Sequence, residues 1–577
     1  MSTLRVWAPG AQRVEMVLGA RRLEMTAGAG GYWEVDAPEA AAGVDYAFAV
    51  DGGEPLPDPR SAWQPGGVHR ASRVVDHGAF AWTDAKWRGG PLGAAVIYEL
   101  HVGTFTPRGT FDAAIERLDH LVELGVTHVE LMPVAEFPGE HGWGYDGVDL
   151  YAPHHAYGGP DGLKRLVDAC HGRGLAVILD VVYNHLGPSG SYVARFGPYF
   201  TKRHVTPWGE AVNLDGPGSD EVRRFFCDNA IAWLRDYHLD GLRVDAVHAI
   251  IDTSAVHFLE QLAAEVHALE ARLGRHLLVI AESDLNDPRV VRAPEVGGYG
   301  MDAQWNEDFH HALYAMLTGE RRGYYADFGR MADFSAAIER AFVYDGRHSR
   351  YRGRAHGRPA SDLPGHRFVG CVQNHDQVGN RARGERLGHL VSSGLCAIGA
   401  ALVVTSPFVP MLFQGEEWGA SSPFLYFTDH SEPELAEAVR NGRRADLAAF
   451  GWDVGDVPDP QARETFERSK LVWAEREREP HAALLDWHRR LIRLRQTSPV
   501  LTDGRPGSAR VRYDEAAHWL VVERGPLAVA CNLGGQPREV PVPGLTGARL
   551  LLAWQDGARV TPGGLTLAGD SVAVIER

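Results

Sequence analysis

The feature that most narrows the folds open to this chain is a rhythm. Short apolar runs of strand length alternate with segments whose apolar residues recur every three or four positions. The runs fall at residues 96–100, 126–131, 176–180, 239–245, 277–281, 303–305, 368–373 and 409–413. Between the first two, Ile115, Leu118, Leu121 and Val122 share a helical face that Gly125 ends; before the third, Leu163, Leu166, Val167 and Cys170 do the same, ended by Gly172 and Gly174. The run at 176–180 is almost continuously apolar, as parallel strands covered on both faces are. Ser219 and Asp220 are placed to cap a further helix carrying Val222, Phe225, Phe226 and Trp233. Eight such strand–helix units are what a (β/α)8 TIM barrel requires, so an α/β fold of that class is expected.

The flanks read differently. Near the N-terminus, 14–18, 32–35 and 46–50 alternate at period two, and Asp51-Gly52-Gly53 is a hairpin signal, followed by a proline-rich connection at 55–65. Past residue 500 alternation returns at 519–522, 527–531, 550–554 and 572–575. The division expected is 1–90, an N-terminal β-sandwich of immunoglobulin-like or carbohydrate-binding-module-like form; 91–495, the barrel; and 496–577, a C-terminal antiparallel β-domain. The N-terminal unit is expected to shape a wall of the cleft, and the charged run 475–479 to be a solvated helix face.

Charge and cysteine usage remove several classes of partner. Against 58 Lys and Arg stand 75 Asp and Glu, a net charge of -17. A surface of that sign repels phosphate backbones and anionic lipids, so neither nucleic acid nor membrane is expected as a partner. The five cysteines include no CxxC pair, and neither a leader-like apolar run at the N-terminus nor any stretch of roughly 20 apolar residues occurs. A cytoplasmic protein is the expectation; nothing in the sequence sets its oligomeric state.

In a barrel of this class, functional groups project from the C-terminal ends of the strands, so a carboxylate that closes an apolar run carries weight. Asp180, Asp245, Glu282 and Asp376 qualify. Asp245 and Glu282 are 37 residues apart, about one unit of the barrel, and should lie on adjacent strands. Arg243, two residues before Asp245, points to the same face and keeps that carboxylate ionised. Glu282, closing a strongly apolar strand, is placed to hold a proton. One ionised and one protonated carboxyl about 5 Å apart are the apparatus of retaining glycoside hydrolysis. His185, His375 and Asp376 would supply hydrogen bonds to sugar hydroxyls.

Asp180-Val181-Val182-Tyr183-Asn184-His185, Gly241-Leu242-Arg243-Val244-Asp245, Ile280-Ala281-Glu282 and Asn374-His375-Asp376 resemble the four ordered signature regions of the α-amylase family of glycoside hydrolases. The resemblance implies Asp245 as nucleophile, Glu282 as general acid/base and Asp376 as the carboxylate that stabilises the transition state. It also implies Arg243, His185 and His375 as contacts of the sugar at the cleaved bond, with Tyr145 stacking on it. Within the family, 143–148, 309–313, 375–380 and 413–419 resemble the trehalohydrolase group. That resemblance implies cleavage of the α-1,4 bond beside the terminal trehalose of a maltooligosyltrehalose, and α-1,4-glucans as ligands. Trehalose-side contacts would then be His248, Asp308, His310, His311, Gln377 and Asn380. Family calcium sites lie near the residue matching Asn184, but His248-Ala249 replaces the usual Lys-His, so no metal and no cofactor are expected. The alternatives are a glycogen branching enzyme, separated by its α-1,6-linked product, and a non-catalytic glucan-binding protein, whose mark would be a missing catalytic carboxylate.

Overall fold

The computed structural model describes residues 3–455 and 457–577; Met1 and Ser2, which begin the stretch read for a leader, and Asp456 lie outside them. Each of the eight apolar runs becomes one stave of a closed parallel barrel: β1 (Ile97–Leu100), β2 (His128–Leu131), β3 (Ala176–Val181), β4 (Gly241–Val244), β5 (Leu278–Ala281), β6 (Ala303–Trp305), β7 (Phe368–Gly370) and β8 (Val409–Phe413), with β8 pairing back to β1. All six residues of β3 are buried because alternate side chains face two different cores. Ile97, Ile178, Ile280, Val369 and Met411 fill the barrel interior, whereas Tyr98, Val129, Leu179, Leu242, Val279 and Leu412 meet the surrounding helices.

Helix Ser219–Asp236 begins differently from the sequence expectation. Gly218, left-handed at φ 79°, holds the capping position, and Ser219 makes no capping bond. Asp220 and Glu221 instead sit in the first turn, where a negative charge meets the positive end of the helix dipole. Between β3 and β4 a two-stranded hairpin, Phe200–Thr206 with Gly209–Val212, carries the half-exposed Trp208 at its turn.

At the N-terminus two antiparallel sheets face each other. One orders Thr3–Trp7, Tyr32–Asp36 and Thr26–Ala27; the other orders Arg21–Glu24, Val14–Leu18, Asp45–Val50 and Ser72–Arg73. Val14, Met16, Tyr46 and Phe48 pack between them. The turn after Val50 forms with positive φ at Asp51 and Gly52, but the returning arm makes a single bridge, Phe48 to Leu56, flanked by Pro55 and Pro57, which have no N–H to give. Tyr32 Oη donates to Glu221 Oε2 at 2.6 Å and Arg60 pairs with Asp228 at 2.8 Å, tying this unit to helix Ser219–Asp236.

The C-terminal strands form a five-stranded and a three-stranded antiparallel sheet. Val521, Ala530, Val540, Leu565 and Ile575 pack between the sheets, while Leu520, Val522, Val572 and Val574 join the helix layer of the barrel. The charged run 475–479 is not a solvated α-helix. Trp473–Glu477 is a 3-10 turn in which Glu475 accepts from the Ser421 amide and Arg476 lies over Trp473. All five cysteines are buried and unpaired. Among the described residues no helix is long and apolar enough to cross a membrane.

Candidate active site

The register of three neighbouring staves sets the site. Asp180 on β3 lies opposite Arg243 on β4, and Arg243 lies opposite Ile280 on β5. The ladder continues past the strand ends: the Asp245 amide donates to Val181 O and the Glu282 amide to Val244 O, both at 3.0 Å. Asp245 and Glu282 therefore stand on adjacent staves, each fixed by its own backbone. Ala246, immediately after Asp245, adopts a left-handed conformation at φ 40°, rare for a residue with a Cβ. That turn aims the Ala246 amide at Glu282 Oε2, 2.5 Å away.

Arg243 is wholly buried, and its charge organises the carboxylates around it. Nη1 donates to both Asp180 oxygens at 2.9 and 2.8 Å and to Asp245 Oδ1 at 2.9 Å, while Nη2 lies 3.6 Å from Glu282 Oε2. The guanidinium stacks over Trp305, 4.1 Å from the ring centre. Burial drives the Glu282 carboxyl well above its ordinary range; Arg243 opposes this, but Asp245, Asp376 and Glu307 add to it. Burial likewise pushes Asp180 up to about 6. Glu282 thus keeps a proton beside a neighbour paired to a cation. With Oε2 taken by the Ala246 amide, Oε1 is the oxygen left to carry it.

A chain of hydrogen bonds continues from Asp180 through Tyr145 and His375 to Glu99. His375 is buried, with Nδ1 2.5 Å from Glu99 Oε1 and its backbone amide donating to Glu99 Oε2. Nε2 lies 2.7 Å from Tyr145 Oη, and that hydroxyl donates to Asp180 Oδ2 at 2.6 Å. Burial works against a charge on His375, yet Glu99 and Asp376 outweigh it and raise the imidazole to about 9. Tyr145 stacks against the His375 ring. Asp376 stands at the start of a short helix whose cap, Asn374, accepts from the Asp376 amide; its side chain remains 41% exposed. Asn380 donates to Asp376 Oδ1 at 3.2 Å, and Gln377 donates to Glu307 Oε2 at the same distance. His185 bonds Tyr145 O through Nε2 and lies flat against Trp208, ring centres 4.8 Å apart and planes at 2°.

Other residues expected at the trehalose side divide. His248 is exposed on the 3-10 turn that follows Asp245. His311 packs against Tyr324, with Nε2 3.7 Å from Glu307. Asp308 and His310, by contrast, turn into the protein. Asp308 Oδ2 accepts from Asn286 Nδ2 and from the amides of Val343 and Tyr344, so it is occupied in tying two loops together. His310 is 1% exposed and bonded to Tyr325 Oη, with burial pushing its imidazole down to about 3. Both lie on helix Glu307–Thr318, where successive residues point to different sides.

Two site groups escaped the sequence reading. Glu99 lies inside an apolar run rather than at its end, so a search for run-closing carboxylates passes over it. Glu307 follows β6 by two residues; burial, Asp376 and Asp284 push it up to about 8. As for a metal, Asn184 is buried with its side-chain amide unpartnered. Among the described residues, the one group of three histidine or carboxylate ligands close enough to share an ion lies elsewhere, at Glu136, His154 and His155.

Comparison with known proteins agrees with this geometry. Residues 78–201 match the α-amylase catalytic domain, and residues 504–574 match a domain of unknown function, DUF3459. The chain is 52% identical to the malto-oligosyltrehalose trehalohydrolase of Arthrobacter ramosus, covering 99% of this chain and 98% of that protein. It is 50% identical to the enzyme of the same name from Mycobacterium tuberculosis over 96% of each. A solved structure of a putative alpha amylase from Salmonella typhimurium superposes with a TM-score of 0.91 at 40% identity, covering 100% of this chain and 97% of that one. The chain belongs to the malto-oligosyltrehalose trehalohydrolases, within the α-amylase family of glycoside hydrolases.

Proposed function

We propose that this chain hydrolyses the α-1,4 bond joining a terminal trehalose to the rest of a maltooligosyltrehalose, with retention of configuration. The observation that carries the reading is the single buried guanidinium of Arg243, bonded to Asp245 and 3.6 Å from a Glu282 that burial keeps protonated. Asp245 attacks the anomeric carbon as Glu282 passes its proton to the glycosidic oxygen, so trehalose leaves and a glycosyl ester forms on Asp245. Glu282, now a carboxylate, takes a proton from water; the water oxygen attacks the same carbon and the ester bond breaks, restoring both groups. Asp376 and His375 bond the sugar hydroxyls more tightly as the ring flattens, Tyr145 and His185 shape the subsite, and Arg243 holds the Asp245 carboxylate in place through its hydrogen bond.

Similarity along nearly the whole chain to trehalohydrolases supports the choice of the trehalose end. His248, His311, Gln377 and Asn380 are the contacts we assign to that side. Residues 1–90 form one wall of the cleft, 91–495 the catalytic unit and 496–577 a buttress against the helix layer. Unpaired, buried cysteines support a cytoplasmic setting.

The test is a pair of incubations, one with maltooligosyltrehalose and one with maltohexaose, followed by product analysis. Free trehalose and a maltooligosaccharide from the first, a far slower reaction with the second, and a first-formed α-anomer are expected. New α-1,6 branches or a first-formed β-anomer would overturn the reading.

A further inference from the structure

We propose that Glu136, His154 and His155 form a site for a divalent transition-metal ion of the zinc class, at the foot of the loop that carries Trp143 and Tyr145. Strand Ala135–Glu136 pairs with Asp149–Pro153, and the connection between them holds both aromatics. The two histidines follow the second arm directly. Adjacent histidines on a helix diverge, as His310 and His311 do toward Tyr325 and Glu307. At His154 the backbone instead turns from a near-extended residue, φ -55° and ψ 130°, into the 3-10 turn His155–Tyr157. That break brings the two rings to a common carboxylate oxygen: His155 Nδ1 lies 2.6 Å and His154 Nδ1 3.2 Å from Glu136 Oε1.

Three ligand atoms thus converge, all within 4.8 Å of one another. A tetrahedral zinc with bonds of about 2.0–2.1 Å sets its ligand atoms about 3.3 Å apart, so the ion takes the place of the His155–Glu136 hydrogen bond and the 2.6 Å contact opens to admit it. His154 lacks the partner that His155 has. It is 0% exposed, and neither ring nitrogen has a hydrogen-bond partner among the described residues, so Nδ1 faces Glu136 off the line of a hydrogen bond. His154 Nδ1 thus meets the Glu136 carboxylate at 3.2 Å without a well-aligned hydrogen bond, an arrangement that a cation between the two groups completes. Two imidazoles and one carboxylate suit zinc, nickel or copper rather than calcium or magnesium, which take oxygen ligands. The remaining coordination position opens beside His155, whose side chain is 21% exposed and reachable by water. An ion here joins the two arms of the hairpin to the following turn and so braces the root of the Tyr145 loop, departing from the metal-free expectation of the sequence.

The experiment uses the full chain, stripped with a chelator and titrated with cobalt and zinc by visible absorption and calorimetry. One equivalent of cobalt per chain, with a visible band that zinc abolishes, is expected. Substituting His155→Ala or Glu136→Gln is expected to weaken that binding by about 100-fold or more while the far-ultraviolet circular dichroism stays that of the parent. If His155→Ala does not fold, Glu136→Gln, which keeps the side-chain volume, decides alone. Absence of a stoichiometric ion, or an ion whose affinity these substitutions leave unchanged and which therefore rests on others of the 27 histidines, overturns the proposal.

Discussion

Replacing Arg243 with glutamine tests the electrostatic logic of the site. The guanidinium is wholly buried and donates three bonds of 2.8 to 2.9 Å to Asp180 and Asp245, so its removal leaves two largely buried carboxylates without their cation. Leaving one partner of a buried ion pair uncompensated costs about 3–5 kcal/mol, a large share of the roughly 5–15 kcal/mol by which folded domains are stable. The loss should depend on pH in a direction the structure fixes. Asp180 already binds its proton at about 6, and burial is the main cause; without Arg243 that proton is held still more firmly. At pH 8 folding of the variant therefore requires Asp180 either to stay charged without a partner or to take up a proton from a solution that holds few, whereas at pH 5 Asp180 is already neutral and the penalty shrinks. The activity profile has its own sign. Arg243 pulls the Glu282 carboxyl down, so without it Glu282 keeps its proton to higher pH and the alkaline limb of kcat/KM moves upward. Denaturant midpoints at pH 5 and pH 8, with single-turnover rates across pH, read both effects. An equal stability loss at the two pH values, or an alkaline limb that stays or moves down, would refute the reasoning.

Four further outcomes follow from the same geometry. Glu282→Gln can keep its carbonyl oxygen on the Ala246 amide and present NH2 to the cleft, so kcat should fall by about 10^4-fold while substrate affinity, read by calorimetry on the inactive variant, holds. Asp308→Ala strands three donors, of which two are backbone amides, and should lower stability by about 1–3 kcal/mol or more with KM little changed; a large rise in KM with normal stability would make Asp308 a substrate contact after all. His375, raised to about 9, adds stability that is complete below its ordinary value near 6.5 and lost as pH rises through 9, so denaturant midpoints should fall between pH 7 and 10, and Glu99→Gln should flatten that fall. Gly144→Ala would place a Cβ 2.1 Å from Pro133 O at a residue with φ +97°, so the loop must shift and kcat/KM should drop through Tyr145, with melting temperature reporting the strain separately.

The barrel was legible because its signal is redundant. Each stave is a short apolar run between helical segments, and all eight runs at 96–100 through 409–413 became staves. Carboxylates at run ends were legible for the same reason, since strand ends on one side of such a barrel share one cleft. Legibility fails where direction, rather than position along the chain, decides a role. Asp308 and His310 sit in the segment that follows β6, close to the cleft in sequence, and a helix turn of about 100° per residue sends them into the protein while Glu307 faces the site. Glu99 was invisible for the converse reason: inside a strand, alternation alone cannot say that an inward residue will be charged and bonded to His375.

The same contrast separates what the strands position from what the loops supply. Asp245 and Glu282 are held by ladder bonds to β3 and β4, not by loops, so their separation is set by the spacing of staves. What loops supply is the surrounding pressure on protons. Glu307 and Asp376 come from the segments after β6 and β7, and both raise Glu282 without touching it. Substitution at Glu307 should therefore change the pH at which Glu282 gives up its proton more than it changes the rate at the optimum. An alteration in Asp245 or Ala246 should do the reverse, because it disturbs distance and direction, which no change of pH restores.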